Sequence, residues 1–292
     1  MSWLKKQRMV GYLFILPSLL GVTIFFLIPL IFSFGLAFTD WVGPSGKGTE
    51  FIGLANFYRL FNDDIFYLAL KNNLIYIFNV PISVFLGFFI AVILNKHVFM
   101  KNTLRAIFFL PYLVSSIAIG FVWMLLFHPT DGPINQFLLN IGFENVPGWL
   151  STTRYSMPAI MIISIWQQLG FNIIIYLAAL QDVPKELEEA AMVDGANRWQ
   201  VIRNVTLPSV SPITFFLLVV GILNAFKSFG LIQAVTEGGP ANSTLILPLY
   251  VYQTAFRYYE MGYASSIAVM LFIIIFIITA IQWYGQKKWV HY

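Results

Sequence analysis

Residues 182–208, DVPKELEEAAMVDGANRWQVIRNVTLP, form a polar interruption between two long apolar runs. Pro184 and the glutamates after it suit the first turn of a helix, because proline presets φ and acidic side chains complement the positive end of the helix dipole. Gly195 suits the left-handed conformation that commonly ends a helix. Apolar residues then recur at helical spacing, namely Trp199, Ile202 and Val205. Pro208 is expected to end this second helix. The stretch therefore predicts a helix–turn–helix on a membrane surface.

The composition is typical of an integral membrane protein. Of the 292 residues, 59% are hydrophobic and only 10% are charged, which argues against a soluble domain. The chain has no cysteine, so it contains neither a disulfide framework nor a thiolate metal site. The net charge is +4, but the basic residues lie at the ends of apolar runs rather than in a patch. A nucleic-acid partner is therefore excluded, and membrane lipid is expected instead.

Apolar runs predict an all-α membrane protein made of one domain, residues 1–292, with six transmembrane helices. The basic start of the chain resembles a signal peptide, but the apolar run behind it is too long and is interpreted as a retained first span. The six predicted spans cover about residues 10–38, 73–94, 106–127, 157–180, 212–235 and 263–284. The polar segment 182–208 lies between the fourth and the fifth.

The distribution of lysine and arginine predicts the orientation, because cytoplasmic segments carry an excess of these residues. An even number of spans puts both termini on one side. If that side is inside, the inner segments hold eleven basic residues, Lys5, Lys6, Arg8, Lys96, Lys101, Arg105, Lys185, Arg198, Arg203, Lys287 and Lys288. The outer loops then hold five, Lys47, Arg59, Lys71, Arg154 and Arg257. Both termini and the segment 182–208 are therefore expected in the cytoplasm.

The segment 182–208 resembles the EAA loop of bacterial ABC-importer permeases. That pattern reads EAA, three residues, G, nine residues, I-x-L-P. This chain has Glu189-Ala190-Ala191, then Gly195, then residues 205–208 as VTLP, with valine for isoleucine as the one departure. The resemblance implies that the loop docks on a cytoplasmic ATPase. The residues that it assigns to this coupling are Glu189, Ala190, Ala191, Asp194, Gly195, Leu207 and Pro208.

Further similarity covers nearly the whole chain and points to the carbohydrate-uptake subgroup, of the maltose-transporter and glycerol-phosphate-transporter type. It rests on GLANF at residues 53–57, on TEGGP at residues 236–240, and on Tyr250, Tyr252 and Ala255-Phe256. The resemblance implies one membrane subunit of an ATP-driven importer for a sugar, an oligosaccharide or a related polyol derivative. It also implies a different second permease, two ATP-binding subunits and an extracytoplasmic solute-binding protein, in a bacterial or archaeal cell membrane.

Polar residues inside the predicted spans are candidates for the solute path, because an unpaired amide or charge in hydrocarbon usually faces a partner or water. In the fourth span, Gln168 and Asn172 share a helix face and Gln167 lies beside them. In the fifth span, Asn224, Lys227 and Ser228 lie at helical spacing. The alternative is hydrogen bonding between helices without a solute, and Lys227 could also extend to the outer interface. Weaker candidates on the second span are Asn73, Tyr76 and Asn79.

No pattern of an enzyme is found, so ATP hydrolysis is expected in partner subunits and no cofactor is expected in this chain. Gly46-Lys47 lacks the upstream glycine and the following serine or threonine of a phosphate loop. His97, His128 and His291 are far apart and are interpreted as surface residues. An ion-coupled secondary transporter is one alternative, but it predicts inverted repeats and intramembrane acids. A membrane scaffold is the other, and it leaves the polar helix faces unexplained.

Overall fold

The computed structural model describes residues 3–43, 49–95, 100–287 and 290. Within these ranges the chain is mainly helical, with one isolated antiparallel bridge between Thr39 and Phe51. Several residues used above lie outside the described ranges, namely Gly46, Lys47, Lys96, His97, Lys288 and His291.

Four helical stretches in the described ranges are long and apolar enough to cross a membrane, namely Met9–Leu36, Asp64–Asn95, Ser156–Gln181 and Met261–Gln286. Two further helix pairs reach the same length and apolarity only when their bent halves are taken together. The bends are 103° between Asn102–Leu113 and Ser116–Leu126, and 66° between Arg198–Ser209 and Ser211–Ala225. The structure is therefore compatible with four to six crossings.

The contacts of the chain divide it into two compact units. The first comprises residues 1–63 and 251–271. Its helices are α1 (Trp3–Val22), a π-helical turn (Thr23–Leu27), α2 (Ile28–Leu36) and α3 (Ala55–Phe61). The second unit comprises residues 64–250 and 272–292. It begins with α4 (Asp64–Ile77), α5 (Asn79–Asn95), α6 (Lys101–Leu113), α7 (Ser116–Leu126), α8 (Pro133–Asn140) and α9 (Ser156–Gln181).

The remaining helices begin within the polar segment 182–208 and continue after it. They are α10 (Lys185–Val193), α11 (Arg198–Val201), a π-helical turn (Ile202–Thr206), α12 (Leu207–Ser209), α13 (Ser211–Ala225), α14 (Gly230–Val235) and α15 (Leu247–Tyr252). A third π-helical turn (Gln253–Arg257) precedes α16 (Met261–Gln286). The helix α16 contributes residues 261–271 to the first unit and 272–286 to the second.

Hydrogen bonds and an ion pair join the loops of the first unit. The side-chain amide of Asn56 is buried and donates to the carbonyls of Ala37 and Thr39, at 3.0 and 2.8 Å. Arg59 pairs with Glu260 at 2.8 Å and lies 4.0 Å over the ring of Tyr263. Buried backbone carbonyls need such donors, so Asn56 fixes the chain that leaves α2.

Small residues allow the helices of the second unit to approach closely, as is usual between membrane helices. A Cβ atom on Gly87 would lie 2.7 Å from the Cβ of Asn172, which brings α5 against α9. A Cβ on Gly221 would lie 2.5 Å from a methyl carbon of Val80, which brings α13 against α5. The closest approach is at Gly170, where a Cβ would lie 2.1 Å from the carbonyl oxygen of Phe108. These contacts fix α5, α6, α9 and α13 around one another.

The predicted third and fifth spans are not single helices. The third, residues 106–127, bends by 103° at Val114 and Ser115, which are both extended. Pro111 weakens the end of α6 because it lacks a backbone donor, and serine favours the start of a new helix. The fifth, residues 212–235, is interrupted at 226–229 between α13 and α14. This break contains Lys227 and Ser228, so the charge lies in irregular backbone rather than along a lipid-facing helix.

Candidate solute path and coupling loop

One cavity of about 730 Å³ lies where the broken helices meet α9. Its wall is formed by the end of α6, the start of α7, the middle of α9, and the residues on both sides of the break between α13 and α14. The cavity is lined by all six polar residues that the sequence singles out, Gln167, Gln168, Asn172, Asn224, Lys227 and Ser228. The structure therefore brings the two predicted polar faces to the same space.

Three of these six side chains form hydrogen bonds inside the protein. Gln167 donates to the carbonyl of Val114 at 3.1 Å and so satisfies a carbonyl that the break in α6 sets free. Asn172 donates to the hydroxyl of Ser83 at 3.2 Å. Ser228 shares a hydrogen bond of 2.8 Å with the hydroxyl of Tyr76. These hydrogen bonds fix the positions of the three side chains in the cavity wall.

The other three have no side-chain hydrogen bond or ion pair within the described part of the chain. Gln168 is half-buried, while Asn224 and Lys227 are exposed. Their amide and ammonium groups are therefore available to water or to a bound solute. Lys227 is also the one charged side chain among the described residues of the cavity wall.

Sequence reasoning missed part of the wall. Ser115, Ser116 and Ser164 also line the cavity, and so do Tyr112 and Phe171, whose rings stack with centroids 4.9 Å apart. Ser115 and Ser116 enter the wall only because the helix breaks beside them. The Pro111 and double-serine pattern was the available signal for that break. Polar donors beside aromatic faces form a wall suited to a hydroxyl-rich solute.

The weaker candidates on the second span are not among the residues that line the cavity. Asn73, Tyr76 and Asn79 are all fully buried and lie outside the cavity wall. Tyr76 joins Ser164 of α9 to Ser228 through its hydroxyl. Asn73 accepts a hydrogen bond of 2.9 Å from the backbone of Leu247, and Asn79 donates to the carbonyl of Tyr76. Asn73 and Tyr76 therefore join the second span to distant parts of the chain, whereas the hydrogen bond of Asn79 is local.

Hydrogen bonds from α4 and from two threonines support the loop at residues 236–244, which contains the TEGGP sequence. The Asn72 amide donates to the carbonyls of Asn242 and Leu245, each at 2.9 Å. The hydroxyls of Thr236 and Thr244 lie 2.7 Å apart, and Thr244 also donates to the carbonyl of Gly239. The loop is thereby tied to the buried side chain of Asn72 on α4.

Replacing Asn72 by alanine is expected to lower the free energy of unfolding by about 2–4 kcal/mol, because two carbonyls lose their donor at a site that is 6% exposed. Thermal unfolding of the purified protein in detergent measures the effect. Asn140 gives the matched control, since it is exposed and forms no side-chain hydrogen bond within the described residues. Equal melting temperatures for Asn72→Ala and Asn140→Ala would show that Asn72 does not support the loop.

The segment 182–208 contains two short helical stretches. The first, α10, begins after Pro184, which is extended and precedes the helix rather than lying in its first turn. Gly195 has φ +88° just after this helix, as expected for a left-handed glycine. Asn197 and Gln200 then cap α11 reciprocally, with hydrogen bonds of 3.0 and 2.7 Å. The amino ends of both stretches are therefore well defined.

The end of the second stretch differs from the sequence-based expectation. Pro208 does not end the helix but lies in the last turn, α12, and the chain bends by 66° only after Ser209. The π-helical turn Ile202–Thr206 explains this, because it supplies an i→i+5 hydrogen bond from Leu207 to Ile202 just before the proline. Proline at the start of a helical turn needs no backbone donor.

Two contacts join the second stretch to its surroundings. The hydroxyl of Thr206, which is buried, donates to the carboxylate of Glu188 on α10 at 2.9 Å. The ring of Trp199 stacks on Phe89 of α5, with centroids 6.1 Å apart and planes 14° apart. A displacement of the second stretch would therefore act directly on α10 and on α5. α5 itself packs against α9, which lines the cavity.

The seven residues assigned to coupling occupy both stretches and the turn between them. Ala191 and Pro208 are half-buried, and the other five, Glu189, Ala190, Asp194, Gly195 and Leu207, are exposed. Ala190 and Gly195 thus have open space in front of them in this chain. Their small size is not required by packing inside the subunit.

Comparisons with known proteins give the family. Residues 83–289 match the family model of the binding-protein-dependent transport system inner membrane component. The probable starch degradation products transport system permease protein AmyD of Thermoanaerobacterium thermosulfurigenes is 35% identical over 288 residues, covering 97% of this chain and 96% of that protein. The lactose transport system permease protein LacF of Rhizobium radiobacter is 32% identical over 284 residues, covering 95% and 94%.

A solved structure shows the same fold. It belongs to a bacterial ABC transporter involved in the import of the acidic polysaccharide alginate, with a TM-score of 0.83 and 24% identity, covering 97% of this chain and 96% of that one. The family model covers more than half of the chain, and the relatives above exceed 30% identity over nearly its whole length. The protein is therefore a multi-pass membrane permease, a member of the inner-membrane components of binding-protein-dependent ABC transport systems.

Proposed function

We propose that this permease imports a sugar, an oligosaccharide or a related polyol derivative, and that the cavity is its part of the solute path. The observation that carries the proposal is the convergence of six polar side chains on one cavity, three of them with free polar groups. A polyhydroxylated solute needs donors and acceptors in place of water. The starch-product and lactose permeases named above support the carbohydrate class.

In this proposal the chain crosses the membrane six times, and each bent helix pair contributes to a crossing. Irregular backbone at membrane depth is tolerated where it lines a water-filled cavity, as it does at Val114–Ser115 and at residues 226–229. The excess of basic residues puts both termini and residues 182–208 in the cytoplasm. The TEGGP loop is then extracytoplasmic.

The partners follow from the family and from the proposed orientation. They are a second, different permease subunit, two cytoplasmic ATP-binding subunits and an extracytoplasmic solute-binding protein. A related solved structure contains an alginate transporter together with a periplasmic protein that holds an alginate pentasaccharide. ATP is hydrolysed in the partner subunits, and this chain contributes no ATP site and no cofactor.

Coupling is assigned to the helix–turn–helix at residues 182–208, docked in a groove of the ATPase through Glu189, Ala190, Ala191, Asp194, Gly195, Leu207 and Pro208. Closure of the ATPase dimer displaces this element as a rigid body. The stacked pair Trp199 and Phe89 transmits the displacement to α5. Membership of the family argues against both the ion-coupled transporter and the scaffold.

Asn224→Ala and Gln168→Ala are each expected to raise the solute concentration needed for half-maximal uptake by about 2- to 12-fold. The reason is that a hydrogen bond to the solute contributes roughly 0.5–1.5 kcal/mol net. Uptake is measured in cells that carry the whole transporter, with the amount of assembled complex determined in parallel. Asn140→Ala, on an exposed loop helix, is the control. Unchanged uptake and concentration dependence in both cavity variants would contradict the proposed path.

A further inference from the structure

The cavity wall carries one formal charge within the described residues. The other polar residues that the structure describes in this wall are neutral amides and hydroxyls, so Lys227 alone among them has a basic or acidic side chain. Lys227 forms no ion pair with a carboxylate of the described residues. The cavity is therefore electropositive in this subunit.

The position of Lys227 is fixed by its backbone. It lies in the break between α13 and α14, where its N–H donates to the carbonyl of Asn224 at 3.0 Å and its own carbonyl accepts from Phe229 at 2.8 Å. The next residue, Ser228, is held by the buried Tyr76. The lysine thus projects from a well-anchored turn and its side chain is exposed.

A cation in the membrane-spanning part of a protein is costly unless it faces water or a counter-charge. Such residues mark binding sites and ion paths. The amides, hydroxyls and aromatic rings of the cavity wall suffice to bind a neutral saccharide. Charge-assisted hydrogen bonds are roughly twice as strong as neutral ones, so an unpaired ammonium favours an anionic group strongly over a hydroxyl.

We propose that the solute is an acidic saccharide, bearing a carboxylate or a phosphate, and that Lys227 is the residue that selects its anionic group. This inference rests on the proposed function, because it assumes that the cavity belongs to the solute path. Two other roles for Lys227 are pairing with a carboxylate of the second permease and extension to the outer membrane interface. Both would leave the cavity without a net attraction for anions.

The first experiment measures the electrostatic potential of the cavity without any solute. The chain has no cysteine, so Ser116→Cys places a single reporter in the cavity wall of the assembled transporter, whose other subunits are made cysteine-free. Its rates of modification by an anionic sulfonatoethyl and a cationic trimethylammonioethyl thiosulfonate are compared in membrane vesicles. Neutralising Lys227 with Lys227→Met should lower the anionic-to-cationic rate ratio by about 10-fold or more, the effect of one unit charge on two oppositely charged probes over a separation on the order of 10 Å at an effective dielectric constant of about 20–40.

Two controls accompany this measurement. Lys227→Arg keeps the charge and should keep the ratio. A reporter at Asn140→Cys, on the exposed end of α8 outside the cavity wall, should show the same ratio with lysine or methionine at 227. A cavity ratio that does not respond to Lys227→Met would mean that the ammonium is already neutralised or points elsewhere, and would overturn the inference.

The second experiment uses three sugars to protect the Ser116→Cys reporter from a neutral thiosulfonate. They are digalacturonate, glucose 1-phosphate and maltose, which distinguish carboxylate, phosphate and neutral chemistry. At least one of the two anionic sugars should protect at about 10-fold lower concentration than maltose, and Lys227→Met should remove that advantage. Maltose protecting as well as both anionic sugars would overturn the inference.

The outcomes separate this inference from the proposed function. Equal protection by all three sugars together with normal uptake leaves the solute path intact and overturns only the acidic-saccharide assignment. Absence of protection by any sugar, with uptake unaffected by Asn224→Ala and Gln168→Ala, overturns both.

Discussion

Replacing Gly170 by alanine is expected to destabilise the folded permease by about 2 kcal/mol or more, the difference between an overpacking cost and a smaller gain in helix propensity. A Cβ atom there would lie 2.1 Å from the carbonyl oxygen of Phe108 and 2.7 Å from the Cα of Phe109. Both are backbone atoms of α6, so no side chain can rotate away. Alanine favours the helix by about 1 kcal/mol over glycine, but separating α6 from α9 costs overpacking energy of about 3 kcal/mol or more.

The effect is measured as the yield of monodisperse protein in detergent and as its melting temperature. Gly21→Ala is the matched control, because this glycine also lies in an apolar helix and its Cβ would meet no atom within 4 Å. The control should be neutral or slightly stabilising. Equal yields and melting temperatures for the two variants would show that α6 and α9 are not packed as described.

Much of the fold could be predicted from the apolar runs, because membrane-spanning segments need about 20 apolar residues and that requirement is local. The breaks could not be predicted in the same way. The bend at Val114 is stabilised by Gln167, which lies 53 positions further along the chain. The interruption at residues 226–229 depends on Tyr76 in another helix. Periodicity in one segment carries no information about such distant partners.

The candidate site could likewise be predicted only in part from the sequence. Spacing of three and four residues put Gln168 with Asn172, and Asn224 with Lys227, on shared helix faces, and both faces line the cavity. Spacing does not reveal which side chains already form hydrogen bonds inside the protein. Asn172 is bonded to Ser83, whereas Gln168 has no such partner among the described residues. Only the tertiary structure makes that distinction.

The loop at residues 182–208 has one feature that the local sequence predicts and one that it does not. The positive φ of Gly195 was predicted and is confirmed at +88°, because it follows from the chemistry of a helix end. The passage of the helix through Pro208 was not predicted. It depends on a π-helical turn over Ile202–Thr206, beside the hydrogen bond from Thr206 to Glu188 on the preceding helix.

Replacing Ala190 by leucine is expected to detach the ATPase while leaving the permease folded. Ala190 is exposed in this chain, and leucine is nearly as good a helix former as alanine, so the substitution costs little inside the subunit. In the proposed complex the alanine lies in a groove of the ATPase. Three added heavy atoms there cause overpacking of typically 1–3 kcal/mol, which weakens the contact by about 5- to 150-fold.

Ala55→Leu is the matched control for this prediction. It makes the same change at an exposed alanine, at the start of α3 in a segment expected on the opposite side of the membrane. It should leave the membrane content of the permease, the ATPase complement and uptake as they are in the unmodified transporter.

Co-purification of the ATPase with Ala190→Leu, alongside solute-stimulated ATP hydrolysis, tests most directly whether residues 182–208 couple the solute path to the ATPase. Coupling through this loop predicts normal amounts of the Ala190→Leu subunit in the membrane, with a reduced ATPase complement and reduced solute-stimulated hydrolysis, while Ala55→Leu remains normal in all three. A normal ATPase complement and normal solute-stimulated hydrolysis in Ala190→Leu would contradict it.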